Sequence, residues 1–292
     1  MVTNAKTFEV LSRGEEENYK KQKQVMSVEF LVATSNVPTR EVQFIRYSHQ
    51  QLDGSLIVVD VSVDELQSIP RPSVRSICRR RLSECLIRDL QNGYSFVTWM
   101  ENIDVREKEK ELHAKFKHFV ESGFAFGAQR WMSTLQRQAE RFLYSMGINT
   151  SLGGTVITAE GRRSLATVTN KMMVSFCNNI CNSPHHHLST SNKTRGRPME
   201  VKTNKRRDDP DKPSGLNRTA GCIVLHLSQH TRISDFLRDA QKRHLWENMS
   251  MNSSVHVLAN VTIGLDPRNC ISVLAISSHN DVLIFQECCD YL

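Results

Sequence analysis

The 292 residues carry 38 Lys and Arg against 31 Asp and Glu, for a net charge of +7, with 39% of positions apolar and 7% aromatic. That is enough apolar material for two domains that each bury a core without disulfides, and it excludes a low-complexity polymer. No apolar run approaches the roughly eighteen residues of a membrane span and MVTNAKTFEV has no signal-peptide core, so an intracellular chain with its eight cysteines reduced is expected.

In chain order, Phe8 to Leu11 reads as a short strand and Gly14 to Gln24 as a charged loop. Val25 to Ala33 alternates as a strand, with Val28, Phe30 and Val32 on one face, and Pro38 ends it. Glu41 to Gln50 and Ser55 to Val63 form a hairpin across Asp53-Gly54, a two-residue type I′ signal. In that register Val42, Phe44, Arg46, Ile57, Val59, Val61 and Val63 share one face. An arginine in such a wall either reaches a carboxylate or the sheet edge, or marks a polar spot inside a ligand cavity. Val74 to Arg81 and Glu84 to Leu90 continue as strands, the Arg79-Arg80-Arg81 triplet reading as a solvated strand end. Asn92-Gly93 then turns the chain into Tyr94 to Val105, and a two-residue loop there sets Trp99 near Leu86 and Glu84.

Between Glu111 and Met146 the period changes to that of a long helix. Ala128, Trp131, Met132, Leu135, Ala139, Phe142, Leu143 and Met146 form one apolar stripe, with Arg130, Arg137, Gln138, Glu140 and Arg141 opposite. Leu112, Phe116, Phe119 and Val120 keep the same period ahead of Gly123 and Gly127, which loosen it. An antiparallel meander followed by one late helix implies that the helix lies across the concave sheet face, a helix grip, with a cavity beneath. The candidate lining is Val42, Phe44, Arg46, Val59, Val61, Trp99, Phe119, Phe124 and Trp131.

The second half opens with a helix from Thr158 to Cys181, its spacing carried by Leu165, Val168, Met172, Phe176 and Ile180. Residues 182–219 read as a disordered basic loop, and 189–218 alone hold nine basic and four acidic side chains, +5 of the total +7. Thr231 is the expected cap of a helix to about Leu245, and Val255 to Val261, Cys270 to Ser277 and Asp281 to Glu287 are strands. The domain expectation is 1–147, a linker at 148–158, and 159–292.

VPTREVQFIRY (37–47), DGSLIVVDVSVD (53–64), RRRLSECLIRDLQNGYSFVTWMENIDV (79–105) and SGFAFGAQRWMSTLQRQAER (122–141) resemble the START domain of plant class IV homeodomain-leucine-zipper transcription factors. ISDFLRDAQKRHLWENMS (233–250), DPRNCISVL (266–274) and DVLIFQECC (281–289) are similar to the START-adjacent region of the same family. The resemblance implies an α+β START-like helix-grip fold followed by a partial second α+β domain, and a cavity for a lipid or sterol that regulates transcription in the nucleus, with the cytoplasm as the alternative location. The matches contain neither homeodomain nor zipper and begin inside START, so a shortened family member is expected. The alternative is an interaction remnant that binds or competes with family transcription factors and senses no lipid.

Other constellations weigh less. Cys177, Cys181 and His185 to His187 have zinc-ligand chemistry at a spacing no standard finger uses, so no metal is expected. TRGRP at 194–198 resembles a minor-groove hook, and Lys205-Arg206-Arg207 a nuclear localisation cluster. Sequence-specific DNA binding is not expected from a lone basic loop. No nucleophile elbow, zinc-protease helix or phosphate loop occurs, so the expectation is a protein that is not an enzyme and needs no cofactor.

Overall fold

The computed structural model describes residues 2–12, 21–34, 37–63, 78–105, 112, 114–147, 157–180, 199–205, 217–223, 229–247, 253–277 and 282–288. They cluster into two units, residues 1–132 with 175–222 and residues 133–174 with 223–292.

The first unit is built on strands β1 (Val2–Ser12), β2 (Gln22–Phe30), β3 (Arg40–Gln50), β4 (Leu56–Ser62), β5 (Cys78–Arg80), β6 (Ser83–Asp89), β7 (Ser95–Met100) and β8 (Ile103–Val105). Six of them form an antiparallel sheet in the order β1-β2-β3-β4-β6-β7, and β5 and β8 pair as a separate ribbon. Two helices follow, α1 (Ala114–Glu121) and α2 (Ala128–Met146). The long helix expected from Glu111 is interrupted at Gly123, whose φ of 81° belongs to the left-handed region that ends helices.

Both hairpins correct the expected register by one residue. β3 pairs with β4 as Arg46↔Asp60 and Tyr47↔Val59, around a three-residue loop, Leu52 to Gly54. Asp53 Oδ1 accepts from the Ser55 backbone N–H at 2.9 Å, and Gly54 takes φ 84°, the left-handed third position such a loop needs. β6 and β7 repeat the device across Gln91 to Gly93, so Trp99 faces Cys85 and not Leu86. A one-residue slip exchanges the faces of a strand. Ile57, Val59 and Val61 therefore lie on the face opposite Val42 and Phe44, and Asp60 takes the place expected for valine.

The inward face carries the core: Val28, Phe30, Val42 and Phe44 are buried, together with Cys78, Val120, Ala125 and Phe126, and Phe116, Phe119 and Trp131 pack against them. Alternation along β2 and β3 delivers these side chains to one side, where α1 and the first turn of α2 cover them.

The second unit takes most of α2 and of α3 (Ala159–Ile180), then α4 (His230–Arg238) and strands β11 (Ser254–Thr262), β12 (Cys270–Ser277) and β13 (Val282–Cys288), which form a sheet in that order. The short pair β9 (Met199–Lys205) and β10 (Asn217–Ile223) precedes α4, so part of the segment read as a disordered loop is a two-stranded ribbon. The cap of α4 is Gln229 and not Thr231, and the helix stops at Asp239 before a 3-10 turn, Ala240–Leu245.

Burial on α2 corrects a second expectation. Leu135, Phe142 and Met146 are exposed, whereas Arg130, Arg141 and Tyr144 are buried. Tyr144 makes the difference, because it packs in the core formed by Val261, Ile263 and Ile271. Arg137 Nη1 donates to Asn269 Oδ1 from the same side of the helix. The long arginine stems give that side apolar area which residue-type counting does not register.

Candidate ligand-binding site

On the inward face of the first sheet, two arginines and two carboxylates form one network. Arg46 grips Asp60 with two parallel bonds, Nε to Oδ1 and Nη2 to Oδ2, both 2.8 Å. Arg80 Nη1 also donates to Asp60 Oδ2. The rest of its fork closes on Glu101, Nε to Oε1 at 2.7 Å and Nη2 to Oε2 at 2.6 Å. Trp99 Nε1 donates to Glu101 Oε2 at 3.0 Å, and the Arg80 backbone N–H donates to Ser62 Oγ at 2.7 Å. Two cations meet two anions here, so the charge closes locally.

Burial is uneven across the network. The side chains of Glu101 and Arg80 are 0% and 3% exposed, whereas Arg46 is 31% exposed and forms its outer member. The Asp60 carboxylate raises the Arg46 pKa further above its ordinary value, mainly through the direct hydrogen bond, so Arg46 stays charged. Around Arg80 stands an aromatic wall, with the Phe44, Phe30 and Trp131 rings 5.2, 5.7 and 5.7 Å from its guanidinium carbon. Trp131 stacks on Trp99 at 5.5 Å and 7°, and meets Phe30 edge-on at 5.4 Å.

Among the described residues, the side chains of Phe30, Phe44, Arg80, Trp99 and Trp131 thus pack against one another beneath the start of α2. Of the nine expected lining residues, Val42 and Phe44 are core, Phe119, Trp99 and Trp131 pack at its border, and Arg46 is ion-paired. Val59 and Val61 belong to the other face, Val61 being 41% exposed, and Phe124 is 49% exposed. Sequence reasoning missed Asp60, Arg80 and Glu101. Arg80 was expected in solvent, yet Cys78 and Arg80 are the buried members of β5. Asp60 was legible as the lone carboxylate in the run LIVVDVS, a residue that needs a cation wherever it faces inward.

An open cleft of about 370 Å³ lies beside this core, lined by Ile103 and Val105 of β8, by Leu112, by Lys117, Val120 and Glu121 of α1, and by Gly123. None of the nine expected residues lines it. Its wall is aliphatic, and its polar groups are Lys117 and Glu121, one helical turn apart with Nζ and Oε1 at 3.8 Å. Both are more than half exposed, so the pair contributes little to stability and is available to a ligand. The cleft can hold an aliphatic chain and present a charge of either sign to its polar end.

Cys78 lies under the same core, where burial pushes its thiol from an ordinary 9.0 up to about 12. The folded state then keeps a proton that the unfolded chain releases above pH 9, so the contribution of this thiol is fully present below pH 9 and is lost as the pH rises toward 12. At pH 8 Cys78 should resist iodoacetamide in the folded protein and react at the rate of an ordinary thiol in urea. Peptide mapping measures both rates, and equal labelling in the two states would show that the thiol is not enclosed.

Among the described residues no group of His, Cys, Asp and Glu could hold a metal ion, and no helix is long and apolar enough to cross a membrane. His185 to His187, the hook-like tract at 194–198 and the 206–207 arginines lie outside the described residues.

Comparison with known proteins adds lineage to this geometry. Residues 1–141 match the START domain family, and residues 158–291 match the PDF2-like C-terminal domain. Homeobox-leucine zipper protein ROC8 of Oryza sativa subsp. japonica is 35% identical over 99% of this chain, which spans 41% of that protein. Homeobox-leucine zipper proteins HDG5 and HDG12 of Arabidopsis thaliana are 33% and 36% identical over 99% of the chain, which spans 36% and 42% of them. The solved human StarD13 (DLC2) lipid transfer and protein localization domain aligns over 41% of this chain and 56% of its own, at 20% identity and a TM-score of 0.29, too slight a likeness to carry an argument.

Proposed function

Because the chain belongs to the START family and, through its second domain and its relatives, to the class IV homeodomain-leucine-zipper group, we propose that it is a lipid-binding regulatory module of transcription control in the nucleus. The observation that carries the ligand is the cleft between α1 and β8. At about 370 Å³ the cleft lies near the lower end of the usual ~300–1,000 Å³ of ligand pockets. That favours one acyl chain or part of a ring system over a two-chain phospholipid. The polar end would sit by Lys117 and Glu121 at the mouth.

The packed aromatic wall around Arg80 favours a second reading, in which the first domain has a filled interior and acts through protein contacts with family transcription factors. Solvent extraction of the purified chain followed by mass spectrometry separates the two. A bound lipid near one-to-one, reduced about tenfold by Val120→Trp at an unchanged far-ultraviolet spectrum, is expected if the cleft is the site. A chain that carries no lipid and takes none up from vesicles would leave only the interaction reading.

A further inference from the structure

We propose that the outer edge of β7 is an interaction surface for a second copy of this chain, the two β7 strands pairing antiparallel about a two-fold axis at Thr98. β7 ends the six-stranded order and pairs only with β6 among the described strands. Such an edge is a template for another strand unless charge, proline or a bulge blunts it. β7 has none of the three. Its sequence, SFVTWM, is uncharged and rich in β-branched and aromatic residues, and its register with β6 runs from Ser95 to Met100 without a shift. The opposite edge, β1, is guarded by Lys6, Glu9 and three register shifts. On β7 Phe96 and Met100 are 56% and 43% exposed.

The hairpin fixes which backbone groups face outward. Leu90 N–H donates to the Tyr94 carbonyl at 2.9 Å. By alternation from that closing bond, Phe96, Thr98 and Met100 turn their N–H and C=O groups to β6, and Ser95, Val97 and Trp99 turn theirs away from it. With Thr98 on the axis, Val97 of one copy exchanges both backbone bonds with Trp99 of the other, and symmetry repeats the exchange. Thr98 then faces its own counterpart in a narrow pair that needs no backbone bond.

The same register matches the side chains. Val97 meets Trp99 of the second copy, a β-branched residue against an aromatic one, and Phe96 meets Met100, a ring against a thioether. Charge selects this register over its neighbour. On β6, Glu84 pairs with Met100 and Arg88 with Phe96, and both charged side chains are exposed. Each cross-strand row therefore runs Glu84, Met100, Phe96, Arg88, with the acid of one copy and the base of the other at its ends, and the axis supplies the row twice. With Val97 on the axis instead, Phe96 would meet Thr98, and neither Glu84 nor Arg88 would have an opposite charge in its row. A contact of one short strand falls below the ~800 Å² per partner of a standard interface, so the dimer is weak and reversible.

The test is sedimentation of the full chain from low to high micromolar concentration. The expected result is a reversible monomer–dimer equilibrium, weakened about tenfold by Thr98→Lys, which sets two like charges face to face on the axis and keeps every bond to β6. Thr98 is exposed, so the fold should survive, and the far-ultraviolet spectrum checks that it does. Glu84→Arg should weaken the dimer about threefold, and the exchange Glu84→Arg with Arg88→Glu should restore it. In a narrow pair the Cα atoms stand about 4.5 Å apart, within disulfide reach, so Thr98→Cys oxidised with copper-phenanthroline should give a dimer joined at the introduced thiol. A chain that stays monomeric across that range, a dimer that Thr98→Lys leaves unchanged, or species that grow past the dimer, as a head-to-tail pairing of unlike edges would give, would each overturn the proposal.

Discussion

Replacing Arg80 by alanine should destabilise the first domain by about 3–5 kcal/mol, the usual loss when one partner is removed from a buried ion pair and the other is left behind. Two carboxylates depend on this guanidinium. Asp60 would keep Arg46, but Glu101, fully buried, would retain only the Trp99 indole N–H among the bonds described above. Against a total stability of about 5–15 kcal/mol for an ordinary domain, the loss is large. Arg46→Ala is the internal control, because Arg46 is partly solvated and Asp60 would keep Arg80; its cost should stay near 1 kcal/mol. Urea denaturation followed by tryptophan fluorescence is well placed to read both, since Trp99 and Trp131 lie against the network. Equal midpoints for the two variants would show that the network is not divided into a buried and an outer member. Restoring neutrality with Glu101→Gln in the Arg80→Met background, where Asp60 keeps Arg46, should recover part of the loss.

Trp131→Ala should cost about 3 kcal/mol and, unlike Arg80→Ala, should also create room. The indole stacks on Trp99 and meets Phe30 edge-on, so its removal takes away dispersion contacts and leaves a void that the surrounding rings only partly fill. If the first domain accepts apolar ligands solely in the cleft by α1, lipid occupancy in Trp131→Ala should match the wild type. If Trp131 plugs a larger cavity, occupancy should rise and heavier lipids should appear in the extract. The measurement is native mass spectrometry beside thermal melting. A variant as stable as the wild type would mean that the ring packing is not a structural wedge at all.

Much of the first sheet was legible in the sequence because alternation is a strong signal: Val28, Phe30, Val42 and Phe44 reach the core as their spacing implies. The register of β4 and β7 was not. Asp53-Gly54 and Asn92-Gly93 suit either a two-residue turn or the last two positions of a three-residue one, and the choice rests on one left-handed glycine. Charge could have settled it, since only the longer loop sets Arg46 opposite Asp60. Two of the valines expected to line the cavity changed sides for the same reason. The cleft was hidden for a different one: β5 and β8 are three residues each, too short to show a period, and they pair across 22 intervening positions. On α2, arginine stems compete with leucine and phenylalanine for the interior, a contest that hydropathy does not record.

The three-residue loops also bear on how this sheet can change over evolutionary time. Losing one residue between Gln51 and Ser55 would shorten the connection to the two-residue kind, and β4 would have to turn over to stay paired. Ile57, Val59 and Val61 would then enter the interior while Asp60 left it, stranding Arg46 and half of the Arg80 fork. Point substitutions at Leu52, an exposed tip residue, should be nearly silent. Length, not identity, is what selection has to guard at that corner.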